Sequence, residues 1–515
     1  MNSSKGFQFQ PHHSGSPLLI TAGGAIVVLA AWAMLADDMG SAGVAIASIF
    51  LVLGCVFVRA LTGVFRPLSI IAILTYCQAI LFIARPLYVV TFQDSINIFT
   101  DAAYDIGFVW AELYCGLGYL ILCIAYGLSA GNLKSSTSEL RPVNVPSEES
   151  WSRLRKPLYL IAAIGLSLYI GYIFQTGWSS YWSGTLTGRS EEQRSALSAA
   201  SGYLYSGLQF ATGTGLFLFL VATVKGHKPS QIGAMLFLAV TVFPQIASGS
   251  RAVFIPIIIA ALAIIARSNP GVLKLKSVAI WLPTIGFLGF IAPRIWRDNL
   301  ASGVSIFDSL LEAARPENIF GGFLGGLDTA MIDAFSVQLQ GHFAGTLPYL
   351  YGSSYLAALG SPIPRGLWPG KPESIDQILN EQLFPATDAR GIGFAFSAYS
   401  EPTANFGFAG VVVMMLIFGF VLGRVARATE TSTLVLNTFF YAMTAGYIFP
   451  LMRGSFTFNI QRLLIPLIPV LIALLVERIT RPAPARSRSR RHGPSASRFH
   501  PQEVSQPATR MKDRQ

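Results

Sequence analysis

Long apolar segments dominate this chain and restrict how it can fold. Crossing the hydrocarbon core of a bilayer takes about 20 apolar residues. Stretches of about this length occur at 17–36, 42–62, 67–84, 107–129, 157–175, 203–223, 232–248, 252–267, 278–296, 408–428, 434–452 and 460–478. A segment in lipid must satisfy its backbone hydrogen bonds internally, which favours helices. The sequence therefore predicts an all-α polytopic membrane protein with about twelve transmembrane helices.

The composition supports this fold class. Hydrophobic residues make up 52% of the 515 residues and charged residues only 12%, while the mean hydropathy is +0.52. All four cysteines (Cys55, Cys77, Cys115 and Cys123) lie inside apolar segments, which indicates buried thiols rather than a disulfide framework or a zinc site.

The distribution of lysine and arginine predicts the orientation. If the N-terminus is cytoplasmic, most basic connections fall on the cytoplasmic side, including those that hold Arg66, Lys134, Lys225, Arg267 and Arg424. This agrees with the positive-inside rule, so both termini are expected in the cytoplasm. Residues 294–405 then lie outside.

Four regions follow from this pattern. Residues 1–293 are an N-terminal transmembrane bundle of about nine helices, 294–405 a large external loop with active-site elements, 406–478 the C-terminal transmembrane helices, and 479–515 a basic cytoplasmic tail. The tail holds nine Lys/Arg against two acids, a composition typical of disorder. It supplies much of the net charge of +11. Contact of the tail with anionic lipid explains its positive charge, and a specific binding arm is the alternative. The charge does not indicate nucleic-acid binding.

The external loop has structure of its own. The stretch from Gly360 to Ser374 contains four prolines and three glycines, which forbid a regular helix or a central strand. Ser305 and Ser374 are each placed to cap a short helix. Residues 319–339 are glycine-rich yet too apolar for a free loop, so they lie either in the membrane interface or in space lined by protein.

Isolated cations are the unusual feature of the outer side. Between residues 294 and 405, six Lys/Arg face eleven Asp/Glu, so the arginines form no general basic surface. Arg251 follows Ser248-Gly-Ser at the start of an inward-running helix, where free N–H groups and the helix dipole favour a phosphate-like anion. The alternative is an arginine that reaches lipid headgroups. The other candidates are Arg294, Arg297, Arg365, Lys371, Arg390 and Arg453.

Proton acceptors are few outside. Glu401 precedes a span directly, and a carboxylate against an apolar wall is a suitable base. His342 is the second choice, although a lone histidine is more often a packed or solvated one. Trp368 and Trp296 are candidates to stack on sugar rings, and an interfacial aromatic belt explains them equally well.

Two further ionisable residues lie at membrane depth. Arg85 and Glu112 flank the second outer loop, and groups at this depth are functional candidates. For Glu112, a structural partnership with an arginine is the equal alternative. The sequence contains no Walker-type glycine loop, no His-Glu-x-x-His, no paired His/Cys spacing and no Asp-x-Asp. It therefore predicts no metal and no other cofactor.

Three short motifs carry a family resemblance. Ser-Gly-Ser-Arg251, the stretch Ile363-Pro-Arg-x-Leu-Trp-Pro-x-Lys-Pro372, and Glu401 followed by Asn405-Phe-Gly-Phe-Ala-Gly410 resemble the Wzy-type oligosaccharide repeat-unit polymerases of O-antigen and exopolysaccharide synthesis. The resemblance concentrates in residues 240–460. It implies a GT-C-like helical fold in the bacterial inner membrane and a periplasmic, inverting, metal-independent transfer between glycans carried on undecaprenyl diphosphate. Membrane lipids, lipid-linked donor and acceptor, and optionally a chain-length regulator are the partners.

The resemblance also implies roles for the candidate residues. Arg251, Arg365, Lys371 and Arg453 would contact the lipid diphosphates, with Arg294, Arg297 and Arg390 as lesser candidates, and Glu401 or else His342 would take the proton of the acceptor hydroxyl. An O-antigen ligase, which shares the fold and the leaving group, and a lipid-linked oligosaccharide flippase are the alternatives. The sugar and its linkage are left open.

The predicted orientation leads to a direct test. Because the basic connections alternate with the spans, a reporter fused after Ala330 should be periplasmic and one fused after Arg491 cytoplasmic. Alkaline phosphatase and β-galactosidase activities of the two fusions measure this. Both reporters on the same side would contradict the proposed external loop.

Overall fold

The computed structural model is built from helices connected by short turns and one long loop. It describes residues 39–63, 65–66, 68–92, 106–133, 143–181, 199–247, 251–268, 305–313, 315, 324–326, 329–360, 363, 368, 370, 372–388 and 393–480. Within these residues there is no β-strand. The predicted all-α class is confirmed.

Apolar segments form the helices of the first half of the chain. These are α1 (Met39–Thr62), α2 (Ile70–Ala79), α3 (Arg85–Phe92), α4 (Ile106–Ala130), α5 (Glu148–Thr176), α6 (Ala199–Lys225), α7 (Lys228–Ala247) and α8 (Arg251–Ser268). A π-helical turn, Ile80–Ala84, joins α2 to α3, so the two make one continuous span that ends beyond Arg85.

Short loop helices and three further spans form the second half. These are α9 (Ile306–Ala313), α10 (Met331–Phe343), α11 (Ser353–Leu359), α12 (Ile375–Leu383), α13 (Pro385–Asp388), α14 (Ser400–Thr429), α15 (Val435–Arg453), α16 (Phe456–Leu464) and α17 (Ile468–Thr480). A short 3-10 turn, Ile465–Leu467, joins the last two.

The helices match the predicted spans closely. Eight of the described helical segments are long and apolar enough to cross a membrane, and α8 contributes a shorter apolar helix. The predicted segments 17–36 and 278–296 lie outside the described residues. The outward face of α14 shows why these helices need lipid: large apolar side chains there are about half exposed, namely Val413, Leu416, Ile417, Phe420 and Val421. Such a surface is stable against hydrocarbon and not against water.

Helix α4 lies at the centre of the first bundle, with α1 on one side and α14 on the other. Two glycines one helical turn apart, Gly419 and Gly423, let α14 approach α4 closely. A Cβ at Gly423 would collide with the Ser129 hydroxyl and lie 2.5 Å from the carbonyl oxygen of Tyr126. Small residues at this spacing allow backbones to touch in membranes, where packing rather than hydrophobicity joins helices.

The loop helices cover one end of the bundle. We call this the site end: it is where α3 ends and α14 begins, and the opposite end is where α2 begins and α14 ends. The predicted caps are confirmed. Ser305 accepts a hydrogen bond from the Asp308 N–H at 3.1 Å, and Ser374 accepts one from Gln377 N–H at 3.4 Å. Helix α10 packs against α4, α12 and α14, so this part of the 319–339 segment lies in protein-lined space.

Candidate functional site

Helix α10 enters the site end as a buried helix that carries several polar side chains. Its Asp333 is fully buried and pairs with Arg85, which is 2% exposed, at an N–O distance of 3.2 Å. Arg85 also donates to the carbonyl oxygen of Leu324. A buried charge is tolerated only when paired and hydrogen-bonded. The ion pair therefore fixes α10 to the span formed by α2 and α3.

Two hydrogen bonds join α10 to the start of α14. Gln338 donates through Nε2 to the carbonyl oxygen of Ser400 at 3.0 Å, and the Ser400 hydroxyl donates back to Oε1 of Gln338. Both side chains are fully buried. This reciprocal pair holds the residue before Glu401 against the helix that carries His342.

His342 is held in one orientation. Its Nδ1 lies 2.9 Å from the carbonyl oxygen of Leu347, and its ring stacks on Tyr349 with centroids 4.6 Å apart and planes 7° apart. Because a carbonyl can only accept, Nδ1 must carry the proton, and in the neutral ring Nε2 is left with a lone pair. This Nε2 lies 3.5 Å from Nε2 of Gln338, a long contact in which the amide N–H is the donor. Burial lowers the pKa of His342 below its ordinary value of 6.5, so the neutral form prevails at neutral pH.

Glu401 belongs to a closed hydrogen-bond network. It is fully buried and accepts a hydrogen bond from the Ser354 hydroxyl at 3.0 Å. Asn405 donates both to Ser354 Oγ and to the carbonyl oxygen of Glu401, each at 2.8 Å, and accepts from Gly352 N–H at 2.8 Å. The network clamps the start of α11 onto the first turn of α14.

The backbone of α14 breaks just after this network. Phe406 has φ −142° and ψ 18°, and Gly407 has φ 62° and ψ −148°. The second conformation is essentially restricted to glycine. The break separates the short segment that carries Glu401 and Asn405 from the membrane-spanning part of the helix, so the site segment can tilt to meet α11.

Two arginines and one carboxylate form a second group at the same end. Arg453 is the last residue of α15, and Arg462 lies in α16. Both attract Asp376 of α12. The Oδ2 atom of Asp376 accepts from the Ser455 hydroxyl at 2.6 Å, and burial nevertheless raises the pKa of Asp376. Two cations facing one acid leave a surplus of positive charge.

A backbone hydrogen bond connects the two groups. The N–H of Ala398 donates to the carbonyl oxygen of Met452 at 3.2 Å. Ala398 lies three residues before Glu401, and Met452 directly precedes Arg453. The cation group and the group of Gln338, His342 and Glu401 therefore adjoin one another.

Arg85 does not pair with Glu112. Its ion pair is with Asp333, while both carboxyl oxygens of the fully buried Glu112 have no hydrogen-bond partner among the residues that the structure describes. Among the described residues, Glu112 therefore forms no ion pair with an arginine, contrary to the structural alternative raised from the sequence.

The remaining predicted site residues are only partly described. Trp368 is 37% exposed, and its ring lies against Gly360. Helix α8 begins at Arg251 as predicted, but the side chain of that arginine lies outside the description. The other candidates outside the described residues are Arg294, Trp296, Arg297, Arg365, Lys371 and Arg390.

Several contacts of the site had no signal in the sequence. Gln338 meets Ser400 across 62 positions, and Arg85 meets Asp333 across 248; neither separation corresponds to a local pattern. Asp376 could have been noticed because it follows the Ser374 cap, and Asn405 belonged to the third resemblance motif. No cluster of three or more His, Cys, Asp or Glu side chains suited to a metal occurs among the described residues.

Fold and site together define a multi-pass α-helical membrane protein with a polar, cation-bearing site where a long loop meets the spans. The chain belongs to the O-antigen polysaccharide polymerase Wzy family, whose sequence model matches residues 26–481. The predicted resemblance is confirmed, and with it the assignment to polysaccharide biosynthesis from lipid-linked oligosaccharide repeat units. No curated protein and no solved structure shows significant similarity to the chain.

The Arg85–Asp333 ion pair can be tested by comparing the loss of one partner with the replacement of both. Arg85→Met leaves a buried carboxylate without its cation and should lower the free energy of unfolding by about 3–5 kcal/mol, while Arg85→Met with Asp333→Leu should recover most of the loss. SDS titration in mixed micelles measures this. Glu149→Gln, which breaks the exposed pair with Arg153, is the control and should change stability by less than about 1 kcal/mol. A double variant as unstable as the single one would contradict the pairing.

Proposed function

We propose that the chain is a glycosyltransferase that joins oligosaccharide repeat units carried on undecaprenyl diphosphate at the periplasmic face. The growing glycan passes from its lipid diphosphate to the terminal sugar of an incoming lipid-linked unit. The observation that carries the proposal is the cation pair, Arg453 and Arg462, at the same end of the bundle as His342, a neutral histidine whose Nε2 carries a lone pair and makes only a long contact of 3.5 Å, with Nε2 of Gln338. Family membership supports the class of substrate.

The arginines have the chemistry that the leaving group requires. When the glycosidic bond breaks, negative charge develops on the lipid diphosphate. Preorganised cations stabilise such charge best in a site with little water, and the planar guanidinium matches phosphate oxygens in pairs. Asp376 attracts both arginines. In the proposal, Arg251, Arg365 and Lys371 add further diphosphate contacts, with Arg294, Arg297 and Arg390 in lesser roles.

His342 is the favoured proton acceptor. Its Nδ1 is engaged by Leu347, and the depressed pKa keeps Nε2 unprotonated at neutral pH. Glu401 is fully enclosed and already accepts from Ser354, which favours a positioning role: it holds α11 and the site segment of α14 together. This reverses the order predicted from the sequence, in which Glu401 was the first choice of base and His342 the second.

The reaction is a single displacement in the proposal. The acceptor hydroxyl attacks the anomeric carbon, its proton passes to Nε2 of His342, and the bond to the diphosphate oxygen breaks with the electron pair leaving on the diphosphate. One displacement without a covalent intermediate inverts the anomeric configuration. The arginines take the charge-stabilising role, so no metal is assigned. Trp368, partly exposed at this end, is a candidate platform for a sugar ring.

Lysine substitutions test the diphosphate role. Lysine keeps the charge but cannot form the paired, planar contacts, so Arg453→Lys and Arg462→Lys should each slow chain growth about 100- to 1,000-fold. The assay uses purified protein in proteoliposomes with a lipid-diphosphate-linked repeat unit, and mass spectrometry follows chain length. Arg478→Lys, at the other end of the last span, is the matched control and should behave like the wild type. Normal growth in both site variants would contradict the diphosphate contacts.

A second comparison separates the two candidate bases. His342→Gln should lose most chain growth, about 100-fold or more, whereas Glu401→Gln keeps an acceptor for Ser354 and should retain most of it. His227→Gln, an exposed histidine at the opposite end, is the control. Because the pKa of His342 is lowered, the rate should stay level at neutral pH and fall only on acidification below 6.5. The reverse ranking of His342→Gln and Glu401→Gln would assign the base to Glu401.

A further inference from the structure

A second polar pocket lies at the opposite end of the bundle, far from the proposed reaction. It is enclosed by the end of α1, the start of α2, α4 and the end of α14, and its polar lining consists of Thr62, Arg66, Ser69, Tyr126 and Glu430. The length of α14, 30 residues, separates it from Glu401 by roughly 40 Å at the rise of a helix. None of these residues has a part in the chemistry proposed above.

Two hydrogen-bond donors in this pocket have no acceptor within the described part of the chain. Tyr126 is fully buried, and its hydroxyl has no hydrogen-bond partner among the described residues. Arg66 is half-buried, and within the same part of the chain its guanidinium makes neither an ion pair nor a hydrogen bond. Leaving a buried polar group unsatisfied is costly, typically about 1–3 kcal/mol. An acceptor bound in the pocket would remove this cost at the Tyr126 hydroxyl.

The neighbouring acceptors are already occupied. Ser69 accepts from Ala72 N–H and donates to the carbonyl oxygen of Arg66. Glu430 accepts through Oε1 from Ile70 N–H at 2.9 Å. Thr62 donates to the carbonyl oxygen of Val58. Apart from the second carboxyl oxygen of Glu430, the polar groups that the pocket leaves for a ligand are therefore donors.

The charge balance points to an anion. Arg66 and Arg267 both attract Glu430, so two cations face a single carboxylate. Arg267 is held by its hydrogen bond to the carbonyl oxygen of Ser432 at 2.6 Å, whereas Arg66 is available. The pocket also lies at the N-terminus of the ten-residue helix α2, whose dipole favours negative charge.

We propose that this pocket binds a phosphate group, with the Arg66 guanidinium and the Tyr126 hydroxyl donating to its oxygens. A phosphate presents several acceptor oxygens and carries the charge that the two cations leave unbalanced. The group has two sources: the phosphodiester of an anionic membrane lipid, whose headgroup lies at the level where the spans end, and free phosphate from solution. The proposal does not depend on the polymerase reaction at the site end.

Glu430 makes the binding sensitive to pH. The groups that face it are Arg66, Arg267 of α8, Tyr126 of α4, Tyr441 of α15 and the N–H of Ile70. Burial raises the pKa of Glu430 to about 7. Below this pH the protonated carboxyl does not repel a phosphate, and above it the carboxylate does. Affinity should therefore fall as the pH rises through 7.

Binding can be measured on the full-length protein in a maltoside detergent, which contains no phosphate. Phosphatidylglycerol is titrated and followed by native mass spectrometry, and inorganic phosphate is titrated separately and followed by thermal stability. Arg66→Gln and Tyr126→Phe should each weaken binding about tenfold, the effect of removing one charge-assisted hydrogen bond. Arg59→Gln, exposed in the last turn of α1, is the matched control and should bind within twofold of the wild type.

The outcomes show whether the site exists and, if it does, whether its phosphate comes from a lipid or from solution. Retention of phosphatidylglycerol that depends on Arg66 and Tyr126, without stabilisation by inorganic phosphate, identifies the lipid headgroup. The same dependence with inorganic phosphate identifies the soluble ligand. Equal binding by the wild type, Arg66→Gln and Tyr126→Phe overturns the proposal. Tyr126→Phe keeps the packed ring and loses only the orphan hydroxyl, so misfolding does not obscure this comparison.

The lipid titration at pH 6 and pH 8 provides an independent check. A phosphodiester does not change its charge in this range, so a difference reports on the protein. Binding should be tighter at pH 6, and Glu430→Gln, which keeps an acceptor for Ile70 N–H, should remove the difference. Tighter binding at pH 8 would overturn the assigned charge arrangement.

Discussion

The burial of helix α10 is the constraint on which the site depends. This helix brings polar groups into the protein-lined end of a membrane bundle, and each buried group needs a partner there. Asp333 finds Arg85 on α3, Gln338 finds Ser400 on α14, and His342 finds the carbonyl oxygen of Leu347. These bonds reach in different directions. They fix the position and rotation of α10, and therefore the place of the histidine ring.

The spans could be predicted from the sequence, whereas the site could be predicted only in part. Hydropathy located the helices because each span is a local pattern of bilayer length. Ser305 and Ser374 predicted the starts of two loop helices, because an N-cap is also a local sequence pattern. The Arg85–Asp333 and Gln338–Ser400 contacts join residues far apart in the chain, and no local pattern encodes them. Asn405 was visible as part of a motif, but its contacts with Ser354 and Gly352 emerged only from the fold.

The two ends of the bundle have the same arrangement of charge, and the two proposals give it different purposes. At the site end, Arg453 and Arg462 face Asp376; at the opposite end, Arg66 and Arg267 face Glu430. In each case two cations attract one acid. Helix ends are the natural location for such groups, because a polar side chain there needs no place inside the hydrocarbon core.

What separates the two ends is the state of the neighbouring acid–base group. His342 lies at the same end as Arg453 and Arg462 and is neutral, because Nδ1 donates to a carbonyl and burial disfavours its charge; its Nε2 makes only a long contact with Gln338. At the opposite end, Glu430 is hydrogen-bonded to the backbone and titrates near 7, so it regulates charge rather than removing a proton from a ligand. In the proposals made above, an anion at the site end takes part in a displacement, while one near Glu430 only binds. They assign the chemistry to one end of the helix pair α4 and α14 and the recognition of phosphate to the other.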